Sequence, residues 1–380
     1  MGYSEKTVYG KKSYVISNKN MELSITKQGG HMAPVIFYKD TGKPFAPYFI
    51  SPWQTEAGEP QEPNLKPLRG DFFCMPCGLP KAFKDEGFMA HGETASEDWL
   101  LEDIIEEEAL TQLVLHMDTQ IRKGTVKKII RLREGSNIIY IRHELSGFEG
   151  SFSLGHHATL NISEREGPAI LSTSPIKFGY TQPRKKMEFE NNGEYYYLQA
   201  SKRFGSIKDI PTIWRDKPSI DCSKHPVTDG FMGLIQLYSE VDGKPAWTAV
   251  YYPQENFIWF ALKNPEILTT TVLWMENGGR HTYPWNGRTR CLGIEDNCVA
   301  MGDDELNTEL RSELDSNGIR YEHILNREKK LSVNYIQGVQ KVPPGYGEVR
   351  DFVFEEGGIT VISQSGMKID IAVDWKYIYA

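Results

Sequence analysis

The amino-acid sequence predicts an all-β protein: a sandwich of sheets with few short helices. Three observations carry this. Apolar and polar residues alternate over most of the chain, the mark of half-buried strands. The 34 glycines and 12% aromatic content suit many strands joined by turns. The regular strand–helix alternation of an α/β protein is missing.

Taken in order, Met21-Glu22-Leu23-Ser24-Ile25-Thr26 alternates and stops at Gly29-Gly30, a turn. Ile129 to Arg133 and Ile138 to Leu145 flank Glu134-Gly135-Ser136-Asn137 and read as a hairpin. The same pattern predicts a second hairpin, Gly233 to Glu240 with Ala246 to Tyr252 across Val241-Asp242-Gly243. The apolar run Phe257 to Leu262 follows the turn Pro253-Gln254-Glu255-Asn256. One stretch is helical: from Asp303 to Asn317, Leu306, Leu310 and Leu314 form a stripe that ends at Asn317-Gly318. Three short strands close the chain, Asp351 to Phe354, Ile359 to Ser363 and Met367 to Asp374. Ser51 to Lys66 and Lys202 to Lys224 read as long loops able to border a cleft.

The chain has 380 residues, and about 150 residues per domain would divide it in two or three. Large β sandwiches often exceed that size, and the candidate site residues below span 69 to 295. The expectation is therefore one domain over 1–380, with N-terminal strands (1–50) and C-terminal strands (340–380) packed onto it. A net charge of −8 disfavours nucleic acid and anionic membranes as partners. The N-terminus carries no apolar signal core, and Lys6 stands where a myristoylation pattern wants Ser or Thr. Five cysteines, an odd number, suggest reduced thiols and a cytoplasmic location. No cofactor or metal is expected, and the sequence is silent on oligomeric state.

Four segments combine polar groups with glycine in ways that core packing does not require. They are Leu68-Arg69-Gly70-Asp71-Phe72-Phe73, His91-Gly92-Glu93, Gly155-His156-His157-Ala158 and Gly293-Ile294-Glu295-Asp296-Asn297. Singly, each has a plain structural reading: a strand-end histidine is commonly hydrogen-bonded scaffold, and Arg69 alone reads as a salt-bridge partner.

In order, the segments resemble the aldose 1-epimerase (galactose mutarotase-like) superfamily, over roughly Ile25 to Leu310. The elements are Gln28-Gly29-Gly30-His31, Arg69 to Pro76, His91-Gly92 with Trp99 downstream, Gly155-His156-His157, and Gly293-Ile294-Glu295. The resemblance implies a β-supersandwich that binds a small sugar in an open cleft. It further implies that a Glu takes the anomeric proton while a His protonates the ring oxygen, and the ring opens and recloses. By matching position Glu295 is the base and His157 the acid, with Arg69 and His91 binding the sugar. Neighbours on a strand face opposite ways, so only one of His156 and His157 can reach the cleft. His157 fits the spacing after Gly155, and His156 is kept as a binding candidate.

The chemistry agrees independently, because ring opening needs an acid and a base on different edges of the sugar. Trp274, Trp285 and Trp99 offer faces for sugar C–H groups, although most of eight Trp residues belong in a core. Glu276 and Arg280, in the Gly-rich stretch before Glu295, are substrate contacts or turn residues. Cys74-Met75-Pro76-Cys77 has C-x-x-C spacing but lacks a second pair for zinc. Three alternatives stay open: a hexose-phosphate epimerase using Arg69, Lys81, Lys202, Arg203 and Arg215, a carbohydrate-binding protein without catalysis, and a lyase or hydrolase of oligosaccharides, for which the sequence shows no additional catalytic pair.

Overall fold

The computed structural model describes residues 2–162, 167–184, 193–302 and 308–380. Two antiparallel sheets form its body. The first has nine strands, in the order Lys224–His225, Ala169–Thr173, Ala246–Tyr252, Phe257–Lys263, Leu331–Lys341, Ile138–Ser146, Gly124–Arg133, Leu110–Thr119 and Leu100–Glu107. The second has eight, running Arg203–Phe204, Ile176–Thr181, Phe231–Ser239, Thr270–Asn277, Arg290–Cys298, Leu154–His156 and Phe73–Cys74, with Ala158–Asn161 also paired to Arg290–Cys298. An N-terminal four-stranded sheet, Gly2–Val8, Lys11–Ser17, Glu22–Thr26 and Met32–Ile36, lays Tyr14, Ile16, Leu23 and Ile25 against the same core.

The middle strands of the nine-stranded sheet are apolar on both faces, unlike the largely exposed edge strand Leu100–Glu107, which explains strands such as Ala246–Tyr252 that show little alternation. Val250, Tyr252, Trp259, Ala261 and Tyr335 face the central core. Ala249, Tyr251, Ile258, Phe260 and Ile336 face the other way, into a second cluster. That cluster is closed by the three-stranded meander Val349–Glu355, Gly358–Ser363 and Lys368–Ala372, which supplies Phe352, Ile359, Val361 and Ile371. Phe352 stacks on Trp247 with centroids 4.6 Å apart; burying a side chain of that size contributes about 1.5–3 kcal/mol.

The first expected hairpin forms, pairing Arg131 with Tyr140 and Leu132 with Ile139. The second does not. Phe231–Ser239 lies in the eight-stranded sheet and pairs with Thr270–Asn277, whereas Ala246–Tyr252 lies in the nine-stranded sheet and pairs with Phe257–Lys263. Both strands exist, but the connection crosses the sandwich. Strands with apolar residues on both faces give no alternation to dictate a partner, and a connection from Glu240 to Pro245 is long enough to cross. The helix runs Thr308–Ser316 with Leu310 and Leu314 buried; residues 303–307 of the expected span lie outside the described residues.

Candidate functional site

The site sits on the face of the eight-stranded sheet that points away from the nine-stranded one. On the strand Arg290–Cys298, alternation sends Glu295 and Asn297 into a cavity of about 510 Å³, while Asp296 turns into the core between the sheets. Val272 and Trp274 reach the cavity from the neighbouring strand. The far wall comes from loops: Glu62, Asn64 and Leu65 from one side, Glu194, Tyr196, Arg280 and Trp285 from the other.

His157 lies at the break between Leu154–His156 and Ala158–Asn161. The chain comes very close there: a Cβ on Gly155 would stand 2.4 Å from Asn297 Cα and from the Asp296 carbonyl oxygen. Only glycine permits this approach, and it carries His157 to the cavity. Its Nε2 is 3.3 Å from Glu295 Oε1, with the two side chains 5% and 12% exposed, and its Nδ1 is 3.2 Å from Thr159 Oγ1. The ring stacks on Phe72 at 4.5 Å, and Phe72 stacks on His31 at 4.1 Å on its other face. His91 meets His157 edge-on at 5.1 Å; its Nδ1 accepts from Gly78 N–H at 3.4 Å and lies 3.2 Å from Cys74 Sγ.

Burial sets the protonation of these groups. It pushes Glu295 up to about 8, only partly opposed by the charge of Arg280. It holds His157 well below the usual histidine value, helped by repulsion from His91, and it lowers His91 to about 4. At neutral pH His157 and Glu295 therefore share one proton. Arg280 spans the aromatic wall, 5.0 Å from the Trp274 ring and 4.8 Å from the Trp285 ring, and its Nε is 3.0 Å from Glu194 Oε1.

No protein-family model matches the sequence, and no curated protein matches it. Solved structures do. A galactose mutarotase-like protein from Clostridium acetobutylicum aligns with TM-score 0.61 at 12% identity, over 90% of this chain and 99% of its own. A candidate aldose 1-epimerase from Klebsiella pneumoniae aligns with TM-score 0.61 at 11% identity, over 90% and 83%. A candidate mutarotase from Salmonella typhimurium gives TM-score 0.59 at 12% identity, over 89% and 94%. The chain has the galactose mutarotase-like fold.

On that mutarotase-like sandwich, Glu295, His157, His91 and Arg280 come together in one cavity. His156, expected as a binding candidate, faces the core instead, where its Nδ1–H donates to Asp71 Oδ2 at 2.9 Å and its ring stacks on Tyr335 at 4.1 Å. Arg69 is also elsewhere. Fully buried, it donates to the Val8 carbonyl at 2.9 Å, the Tyr9 carbonyl at 3.0 Å and Gln54 Oε1 at 2.6 Å, and so ties down the N-terminal strand. Glu276 lies under the Arg280 loop, accepting from Gly279 N–H at 2.7 Å and Arg280 N–H at 3.1 Å. Of the three tryptophans, Trp274 and Trp285 line the cavity, whereas Trp99 is wholly buried.

Phe72, Glu194, Tyr196 and Asn297 are cavity residues that sequence reasoning assigned no role. Phe72 and Asn297 stand inside quoted segments, so alternation from Glu295 finds Asn297. Glu194 and Tyr196 belong to no motif. The loop Ser51 to Lys66 borders the cavity through Glu62, Asn64 and Leu65, but no residue of Lys202 to Lys224 does. Cys77 reaches the cavity; among the described residues no group of three His, Cys, Asp or Glu is placed to hold a metal ion. Among them, too, no helix is long and apolar enough to cross a membrane.

Proposed function

We propose that this protein is an aldose 1-epimerase-like isomerase that interconverts the anomers of a neutral sugar. The observation that carries the reading is the His157–Glu295 contact of 3.3 Å at the floor of an aromatic-walled cavity of about 510 Å³, a volume suited to a small ligand. The pair holds one proton at neutral pH. Transfer across the contact gives a Glu295 carboxylate and a His157 imidazolium, one base and one acid. The carboxylate takes the O1 proton, the imidazolium protonates the ring oxygen, and the C1–O5 bond breaks to give the open aldehyde. The single proton is then back on Glu295. Rotation about C1–C2 and the reverse transfers close the other anomer.

The indole faces of Trp274 and Trp285 suit sugar C–H groups, and His91, Asn297 and Glu194 offer hydrogen bonds to hydroxyls. The phosphate alternative has less support. Among the described residues the cavity walls bring Glu62, Glu194 and Glu295 against one arginine, Arg280, already paired with Glu194. Arg69 is committed to the N-terminal strand, while Lys81 and Arg203 pair with Asp85 and Glu313. Five free cysteines suit the cytoplasmic location that forms part of the proposal. The test is saturation-transfer NMR of anomer exchange across a panel of neutral aldoses, with wild type, Glu295→Gln and His157→Ala. Catalysed exchange lost in both variants supports the reading. Exchange unchanged in both removes the assigned acid and base, and calorimetric sugar binding without exchange by wild type makes the protein a carbohydrate binder.

A further inference from the structure

Behind the cavity floor, sealed between the two sheets, lies a chain of polar groups that the reaction does not touch. Asp296 Oδ1 is 2.9 Å from Lys263 Nζ, with the two side chains 2% and 3% exposed. The same oxygen accepts from Thr271 Oγ1 at 2.5 Å, and Asp296 Oδ2 accepts from Tyr335 OH at 2.7 Å. Lys263 and Tyr335 are cross-strand partners on the inner face of the nine-stranded sheet, and Thr271 and Asp296 are cross-strand partners on the facing sheet. Each sheet thus presents a matched pair to the other. The chain continues from Tyr335, whose ring stacks on His156, to the hydrogen bond between His156 and Asp71.

Its members alternate with the cavity residues. Asp296 follows Glu295, His156 precedes His157, and Asp71 precedes Phe72, the ring on which His157 stacks. A buried ion pair is poor value as a stabiliser, because desolvation cancels most of the attraction and apolar replacements are often as stable or more so. What such a junction supplies is direction: charge-assisted bonds fix a strand's position more narrowly than apolar packing does.

We propose that Lys263, Asp296 and Tyr335 are positioning residues, which hold the Glu295 strand against the nine-stranded sheet and so set the separation of Glu295 from His157, with His156 and Asp71 extending the frame beneath His157. This inference rests on the proposed isomerase activity. Acid–base transfer between two groups on separate strands is sensitive to their spacing, and a displacement of about 1 Å lowers a rate roughly 100-fold.

The decisive variants are Tyr335→Phe, which keeps the ring and removes one bond, and the double variant Lys263→Met with Asp296→Leu, which replaces the ion pair with apolar groups of similar volume. For both, urea unfolding, kcat, KM and the ¹³C titration of the Glu295 carboxyl would be measured. Positioning predicts kcat lower by roughly 10- to 100-fold with KM within about twofold, even where the double variant is as stable as wild type. The titration midpoint of Glu295 moves by about half a unit or more in both. A folded double variant with wild-type kcat and an unmoved midpoint overturns the proposal. If wild type catalyses no exchange on the panel, the isomerase reading fails first, and the Glu295 titration alone decides whether the frame sets that carboxyl's surroundings. Should the double variant not fold, Tyr335→Phe decides by the same measurements.

Discussion

His156 and His157 are neighbours with nearly the same company. His157 stacks on Phe72 and lies 3.3 Å from the carboxylate of Glu295; His156 stacks on Tyr335 and lies 2.9 Å from the carboxylate of Asp71. One pair opens on a cavity and the other is sealed between sheets. A histidine, a carboxylate and an aromatic shelf therefore do not make a site by themselves. What distinguishes them is the next layer out, which for His157 is room for a ligand and for His156 is packed chain.

The largest effect that would break this comparison is on rate. Removing the titrating oxygen by Glu295→Gln should slow anomer exchange by about 10²- to 10⁴-fold, read by saturation-transfer NMR, with the fold intact by circular dichroism. An unchanged rate would make the two pairs equivalent. Next is stability: His156→Ala strands the buried Asp71 carboxylate and should lower the unfolding free energy by about 3–5 kcal/mol in urea. A variant as stable as wild type would show that the inner pair is not a paired charge.

The pH dependence gives an effect of intermediate size. Because Glu295 is pushed up to about 8 from an ordinary value of 4.5, the unfolded chain ionises it first. Stability associated with this group is complete below about pH 4.5 and is lost as pH rises through about 8. Glu295→Gln should therefore be more stable than wild type at pH 8.5, by roughly 2–4 kcal/mol, with the gain vanishing near pH 4. Equal unfolding curves at both pH values would refute the burial argument. Buried neutral His91, at about 4, and His157 act with the opposite sign, taking stability away as pH falls below about 6.5. The smallest effect concerns Arg69, whose fork to Val8, Tyr9 and Gln54 a lysine cannot reproduce. Arg69→Lys should lose about 1–2 kcal/mol while exchange per folded molecule stays within about twofold. A collapse of kcat would return Arg69 to the site.

Much of this arrangement was legible in the sequence because it rests on period and order. Alternation separates Glu295 from Asp296 and His156 from His157, and the glycines at 155 and 293 mark where chains come close. The order of the segments led to the sandwich. Arg69 was misread, and Glu276 took the turn role left open beside substrate contact, for one reason: a polar group beside glycine looks the same whether it faces a ligand or the backbone. Their partners, Val8 and Tyr9 for Arg69 and the Gly279 amide for Glu276, depend on where loops pass. The Gly233–Tyr252 hairpin failed because its strands are buried on both faces, so no polar side ruled out a crossing. Glu194 and Tyr196 were invisible because long-range pairing alone brings them to the site, Glu194 with Arg280 and Tyr196 with Met232.

The cavity is assembled from residues as far apart in the chain as Glu62 and Gly302, on a sheet that sets Phe231–Ser239 and Leu154–His156 on either side of the consecutive strands Thr270–Asn277 and Arg290–Cys298. Such long closures put the molecule among slow folders, in the millisecond-to-second range typical of sandwiches. No early fragment of the chain has the site. Trp285 sits 4.9 Å from Trp53 and 5.5 Å from Trp274, so Trp53 meets the other two indoles, far along the chain, only when the walls close. Their fluorescence is thus a clock for the last step of refolding, and ligand affinity should appear on that clock rather than on the one that reports secondary structure.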